Sequence, residues 1–348
     1  MPGDLRVGIV GYGLAGAVFH APLVATTPGL RVAAVVTRNP ERRERAERDH
    51  PGVRVVAEVS EMLGEVDVAV VAAPNREHVP VARAALDAGV HVVVDKPLAV
   101  TASEGRELVE EARRAGRVLT VFQNRRWDGD FLTVCRLLER GELGQVVRFE
   151  SRFERWRPKI ASGAWRESGD PREGGGLLLD LGSHLVDQAL VLFGRPRSVY
   201  AEVERRREGA TVDDDVFVAL EHDGGVSSHL WANVVAAAPD SRFRVLGLEA
   251  AYAKDGLDPQ EAALRAGARP GDPGWGRDPE ERWGRLVAGD AEQPVETEPG
   301  AYEAFYAGLV SALRGEGPPP VDPMDAVTVL EVLEAAARSA EADAIVTP

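Results

Sequence analysis

The 348-residue chain has one cysteine, Cys135, so neither a disulfide framework nor a cysteine-built metal site is open to it. Its neighbours Val134, Leu137 and Leu138 suggest a buried helical position rather than a redox centre. No apolar run approaches the ~20 residues that a membrane span requires, which argues against a membrane partner. The start, Met1-Pro2-Gly3-Asp4, lacks the basic and apolar stretches of a signal peptide, so the expectation is a cytoplasmic globular protein. Basic residues are in the minority: 41 Lys and Arg face 56 Asp and Glu, a net charge of -15. That argues against a general binder of nucleic-acid phosphates. The seven histidines are scattered with no His-x-x-x-His pair, and no metal is expected. No serine or cysteine stands in a Gly-x-Ser-x-Gly nucleophile turn.

Hydrophobic residues make up 44% of the chain, enough to bury sizeable cores, and at roughly 150 residues per domain the length suggests two domains. Up to residue 121, short runs rich in β-branched residues (Leu5–Val10, Leu30–Val36, Val66–Ala72, Val90–Val94, Val118–Val121) alternate with helical spacing, as in Glu77–Ala88 and Ala102–Ala115. Near-continuous apolar strands alternating with helices predict a doubly wound α/β domain with a parallel sheet. After a helix near Trp127–Glu139 the pattern changes. Alternating runs at Val146–Arg155, Ser198–Arg206, Val216–His222, Val226–Val235 and Phe243–Leu248 predict a mostly antiparallel sheet, interrupted by one helix at about Leu179–Phe193. Residues 266–300 hold seven glycines and five prolines and read as largely irregular. Two helices, near Ala301–Leu313 and Met324–Ala342, close the chain.

Gly11-Tyr12-Gly13-Leu14-Ala15-Gly16 fits G-x-G-x-x-G, follows the first strand and opens a helix. In that context it is a dinucleotide-binding loop: Gly11 for the tight turn, Gly13 for approach of the pyrophosphate, Gly16 for close helix–strand packing. The helix N-terminus adds free N–H groups and partial positive charge. An NAD site carries a carboxylate at the tip of the second strand, for the ribose 2′-hydroxyl. Here that tip reads Thr37-Arg38, and Thr37–Arg48 holds five arginines against three glutamates. Thr37 and Arg38, with Arg42 or Arg43 in reserve, favour a 2′-phosphate, hence NADP(H) over NAD(H). Further on, the fourth strand runs into Ala73-Pro74-Asn75 and then His78, which border the ligand crevice; Asn75 reads first as a helix cap.

The fifth strand ends in Asp95-Lys96-Pro97, where the proline fixes a turn that presents Lys96 to the crevice. In the second half, Gly174-Gly175-Gly176 leads into a helix bearing Asp180 and His184 at i and i+4, on one face. A carboxylate there can orient an imidazole and favour its protonated form. Arg152, Arg155, Arg157 and Lys159 read as a solvated edge rather than as a site for an acidic substrate.

The glycine loop, the Asp95-Lys96-Pro97 turn and the Asp180…His184 segment, in this order, resemble the Gfo/Idh/MocA oxidoreductases across essentially the whole chain. The usual family signature at the lysine is Glu-Lys-Pro; here Asp95 replaces the glutamate. Gly11 to His20, Asn124 to Asp128 and Gly256 to Glu261 look like the branch that includes bacterial NADP-dependent scyllo-inositol dehydrogenases. The resemblance implies a Rossmann domain at 1–123 and an α+β domain with a large, open-faced, mostly antiparallel sheet at 124–348, for substrate binding and oligomerisation. It also implies a catalytic group of Lys96, Asp180 and His184, with Asn124, Trp165 and Arg166 as cofactor contacts. The expected substrate is a cyclitol or sugar and the expected assembly a homodimer or homotetramer. The alternative is a dinucleotide-binding sensor or transcriptional regulator of the same fold that turns nothing over.

Overall fold

The computed structural model describes residues 3–160 and 167–348. They divide into two compact units. The first comprises residues 1–124 with two later segments, 260–275 and 301–327; the second comprises 125–259, 276–300 and 328–348.

The first unit is built on six strands: β1 (Leu5–Val10), β2 (Leu30–Val36), β3 (Arg54–Val56), β4 (Val68–Val71), β5 (His91–Asp95) and β6 (Leu119–Phe122). Every pairing is parallel, in the order β3-β2-β1-β4-β5-β6. The five runs read from the sequence all appear, and β3 is a short edge strand beyond them. The helices are α1 (Ala21–Thr26), α2 (Pro40–Asp49), α3 (Ser60–Leu63), α4 (Asn75–Asp87) and α5 (Ala102–Ala115). α5 starts with Thr101 accepting from the Glu104 N–H and stops at Gly116 in the left-handed region, standard start and stop signals. Strands β1, β4 and β5 are buried almost throughout, as a sheet covered on both faces requires.

The second unit begins with α6 (Gly129–Glu139) and β7 (Val146–Glu154), followed by α7 (Leu177–Asp180) and α8 (Gly182–Phe193). β8 (Pro196–Glu204), β9 (Asp215–His222), β10 (Ser227–Asn233), β11 (Phe243–Gly247), β12 (Ala251–Lys254), β13 (Gly284–Ala288) and β14 (Ala291–Val295) complete its sheet. The order is β14-β13-β12-β11-β7-β10-β9-β8, and only the β7–β10 pairing is parallel. Most of 266–300 is irregular, as the sequence reading has it, but β13 and β14 form a hairpin within it that turns at Gly289, whose φ is 60°. Pro294 hid the second strand; it is tolerated because β14 is an edge strand. α8 packs on β7 and β10. Alternation along β9 buries Val216, Val218 and Leu220 and turns Phe217 and Ala219 to the opposite face.

α9 (Gln260–Arg265) and α10 (Glu303–Leu313) belong to the first unit, where α9 packs on the Ala15–His20 turn and α10 on α1. The boundary between the units falls within the last helix, α11 (Pro323–Ala342). Among the described residues no single helix is long and apolar enough to cross a membrane.

Candidate active site

The parallel sheet places the C-terminal ends of β1, β2, β4 and β5 along one edge, and its strand order reverses direction between β1 and β4. That is where such sheets bind ligands. Gly11, with φ 93°, would carry a Cβ 2.6 Å from the Ala72 carbonyl oxygen, so the loop passes tightly over the end of β4. A Cβ on Gly16 would fall 1.9 Å from the Gly11 carbonyl oxygen. Around Gly13 the space is open except for the Arg42 guanidinium, 3.7 Å from where a Cβ would stand. A bare backbone under a cation fits a pyrophosphate. Leu14 is exposed and Ala15 half-buried, whereas the Tyr12 ring turns inward, edge-on to His50 at 6.3 Å, so Tyr12 offers the loop only its backbone. The chain then winds through a π-helical turn, Ala15–His20, before α1.

At the end of β2, Thr37 is buried and its hydroxyl oxygen accepts from the Asn39 N–H at 3.3 Å. Arg38 is exposed and paired with Glu58 at 2.6 Å, and Arg43 reaches the Val55 carbonyl at 2.9 Å. The Arg42 side chain has no ion pair among the described residues and lies over the glycine loop. The sequence put Arg38 first and Arg42 or Arg43 in reserve, and gave no sign of these partners.

Ala73 and Pro74 form the β4–α4 turn. Pro74 occupies the N-cap position of α4 and no side chain caps it, so the capping role expected of Asn75 is corrected: Asn75 is the first helical residue, and buried. His78 is buried one turn later, its ring nitrogens 2.7 Å from the Pro97 carbonyl oxygen and 3.0 Å from that of Ala73. It thereby ties the β4 turn to the Lys96–Pro97 turn. Lys96 is half-buried, and its N–H donates to Asp95 Oδ1 at 2.9 Å. Asn124 is buried just after β6. The first unit thus gathers its predicted residues at one sheet edge, and adds one that had no assigned role. His20 is fully buried, 2.6 Å from the Tyr306 hydroxyl and 3.9 Å from Asp95.

In the second unit, the expected single helix over Leu179–Phe193 is two. α7 ends at Asp180 and α8 begins at Gly182, with a 56° bend between the stretch Pro171–Asp180 and α8. Asp180 and His184 therefore flank a bend instead of sharing a straight helix face. The glycine run has a local cause. Asp213 accepts from the Leu178 N–H at 2.6 Å at the start of α7, and a Cβ on Gly176 would strike its carboxylate at 2.0 Å. Burial raises the Asp213 carboxyl above its ordinary range. His184 is buried, with Phe153 at 6.2 Å. One turn on, Asp187 receives a two-pronged contact from Arg126 at 2.9 and 2.6 Å, and Gln188 is held by Arg242 at 2.8 Å and by the Arg125 carbonyl at 2.9 Å. Arg152 is not a solvated residue: it stacks on Trp231 at 3.9 Å and pairs with Glu150 at 2.9 Å. Trp165 and Arg166 lie outside the described residues. Cys135 is half-buried on α6, where burial lifts its thiol to about 11.

Comparison with known proteins agrees with this layout. Residues 5–123 match the oxidoreductase-family model described as an NAD-binding Rossmann fold, and residues 136–347 match the family's C-terminal alpha/beta domain. The chain belongs to the Gfo/Idh/MocA oxidoreductases. It is 44% identical to the uncharacterized oxidoreductase YdgJ of Escherichia coli, over 98% of each chain. It is 35% identical to the NADP(+) scyllo-inositol 2-dehydrogenase IolW of Bacillus subtilis, over 97% of this chain and 94% of that one. The solved structure of yvaA from Bacillus subtilis superposes with a TM-score of 0.94 at 33% identity, covering 99% of each chain. In this Gfo/Idh/MocA member, then, the fold at both ends of the resemblance is as the sequence suggested, with an NAD-binding domain first and a mixed sheet second.

Burial lowers the His20 imidazole from 6.5 to about 4, against the pull of Asp95, and lowers His78 as well. Above pH 6.5 the His20 ring is neutral both folded and unfolded and adds no pH dependence. Between 6.5 and about 4 the unfolded chain binds a proton that the folded one refuses, so stability falls as pH falls. At pH 5 the loss from His20 should be about 2 kcal/mol. Urea unfolding of wild type and His20→Asn at pH 7 and pH 5 checks this: the variant's loss between the two pH values should be smaller by that amount.

Proposed function

We propose that the chain catalyses reversible hydride transfer between NADP(H) and a secondary alcohol or ketone of a polyhydroxylated ring, a cyclitol such as scyllo-inositol or an aldose. The observation that carries this is Lys96, held at the end of β5 by Asp95 and His78, at the same sheet edge as an open glycine loop with a cation above it. The printed activity of the relative IolW supports the substrate class. The nicotinamide supplies the hydride acceptor or donor. Lys96 donates a hydrogen bond to the reacting oxygen and stabilises negative charge there. His184 takes the hydroxyl proton on oxidation and returns it on reduction, and Asp180 orients its imidazole. The cytoplasm, with its nicotinamide pool, is the proposed location.

The Arg38–Glu58 pair is fully at the surface and worth little, so a 2′-phosphate can displace the carboxylate from Arg38. We expect kcat/KM to favour NADP(H) over NAD(H). Arg38→Ala should reduce the NADP(H) value by about ten- to a hundredfold, the worth of one charge-assisted contact. The double variant with Arg42→Ala should lose the preference entirely. Equal use of both cofactors by wild type would refute the assignment.

For the chemistry, Lys96→Ala and His184→Ala should each lower kcat far more than cofactor affinity, by about 10²–10⁴. Asp180→Asn should be milder and should move the pH profile. A screen of cyclitols and aldoses with each cofactor identifies the substrate. Tight cofactor binding without turnover of any of them would favour the regulator reading instead.

The second unit's sheet turns Phe217, Ala219, His229 and Trp231 to the face opposite its helices, with Phe217 5.1 Å from Trp231 and 5.7 Å from His229. An aromatic strip of this kind suits a self-complementary interface, and we expect a homodimer or homotetramer. Light scattering at micromolar concentration that gives a monomer would overturn this.

A further inference from the structure

We propose that His20 is a positioning residue for Lys96, acting through Asp95, with Tyr306 fixing the state of its ring; the role rests on the hydride-transfer reading above. His20 closes the π-helical turn that begins two residues after Gly13, Asp95 ends β5, and Tyr306 lies on α10. The ring and the tyrosine are both fully buried. Nδ1 lies 2.6 Å from the Tyr306 oxygen, while Nε2 has no hydrogen-bond partner among the described residues and faces Asp95 Oδ1 across 3.9 Å.

Proton placement follows from these contacts. Burial keeps Tyr306 protonated and His20 neutral. A buried hydroxyl needs an acceptor, and Nδ1 is at hand, so Tyr306 donates to it. The single proton of the neutral ring then sits on Nε2, aimed at the carboxylate. The other tautomer would turn a lone pair on the carboxylate and leave the tyrosine proton without an acceptor. Besides Tyr306, the charged or titratable groups that act on the ring among the described residues are Asp95 and, after it, His78.

Asp95 Oδ1 is also the atom that accepts the Lys96 N–H at 2.9 Å. One carboxylate oxygen therefore has the lysine backbone on one side and the Nε2–H dipole on the other. The carboxylate cannot rotate away without turning its negative charge off that dipole, so the lysine turn is held. A packing role alone would be better served by an apolar ring, which buries no unpaired N–H.

The experiment uses the full chain. Nitrogen-15 NMR of histidine-labelled protein, with His20 assigned from the signal missing in His20→Asn, should show a neutral Nε2–H tautomer at pH 7, and Tyr306→Phe should convert it to a mixture. Both His20→Asn and Tyr306→Phe should lower kcat by about ten- to a hundredfold with the NADPH dissociation constant unchanged, as for a reacting group displaced by a fraction of an ångström. The proposal is overturned by an Nδ1–H or charged ring in wild type, which needs no variant to fold. Wild-type kcat in both variants, or loss of kcat in step with loss of NADPH binding, overturns it too. Lys96→Ala separates the two claims. If that variant is inactive while the His20 and Tyr306 variants are normal, only the positioning role falls; if it turns over normally, the hydride-transfer reading falls with it.

Discussion

A side chain at Gly16 would collide with the Gly11 carbonyl, and much of the first unit depends on that near-contact. Because nothing stands between them, the turn after the glycine loop lies directly on β1. The first N–H groups of such a turn lack partners within it, which is what suits a helix start to an anion. The same close packing sets where the π-helical turn ends, and so where His20 is buried. The shape of the glycine loop and the burial of His20 near Asp95 are thus both tied to one missing methyl group.

The two candidate proton-handling residues are held by different physics. Lys96 is fixed through backbone: its own N–H on Asp95, and the following carbonyl on His78. Both of these contacts are made by backbone atoms of the turn and hold it in place. His184 is fixed through its helix, by a two-pronged Arg126–Asp187 pair and by Gln188 held from two sides, one of them by the buried Arg242. Breaking a buried pair of that kind is costly because it strands a charge. The helix that carries His184 is accordingly among the most constrained of the second unit, with residues 182–189 all buried.

Local features were readable from the sequence where the chain's own periodicity decides the structure. α5 has the bounds that its cap and apolar spacing imply, and β1 and β2 have the bounds of their apolar runs. Features decided by distant residues were not readable. The bend at Leu181 separates two apolar stretches whose helical spacing runs on almost without a break, so periodicity gave no sign of it. Gly176 is glycine because of Asp213, and His20 has its partner 286 positions away in Tyr306. The β13–β14 hairpin was masked by Pro294, whose meaning changes once the strand is known to be an edge. The partners of Arg38 and Arg43 are Glu58 and the Val55 carbonyl, which no motif supplies.

The late segments of the first unit bear on how it can be made. All six strands of its sheet have been synthesised once the chain reaches Phe122, yet that residue packs edge-on against Phe305 at 5.0 Å, and Thr120 bonds the Val321 carbonyl 201 positions further on. Tyr302, Phe305 and Tyr306 are fully buried. A chain emerging from the ribosome therefore completes the strands long before it has the helix that covers them, with the second unit's sheet produced in between. Contacts this far apart in sequence form slowly, and an uncovered aromatic surface is prone to association while it waits. The unit that carries the glycine loop therefore has its sheet long before Phe305 and Val321, without which it is not finished.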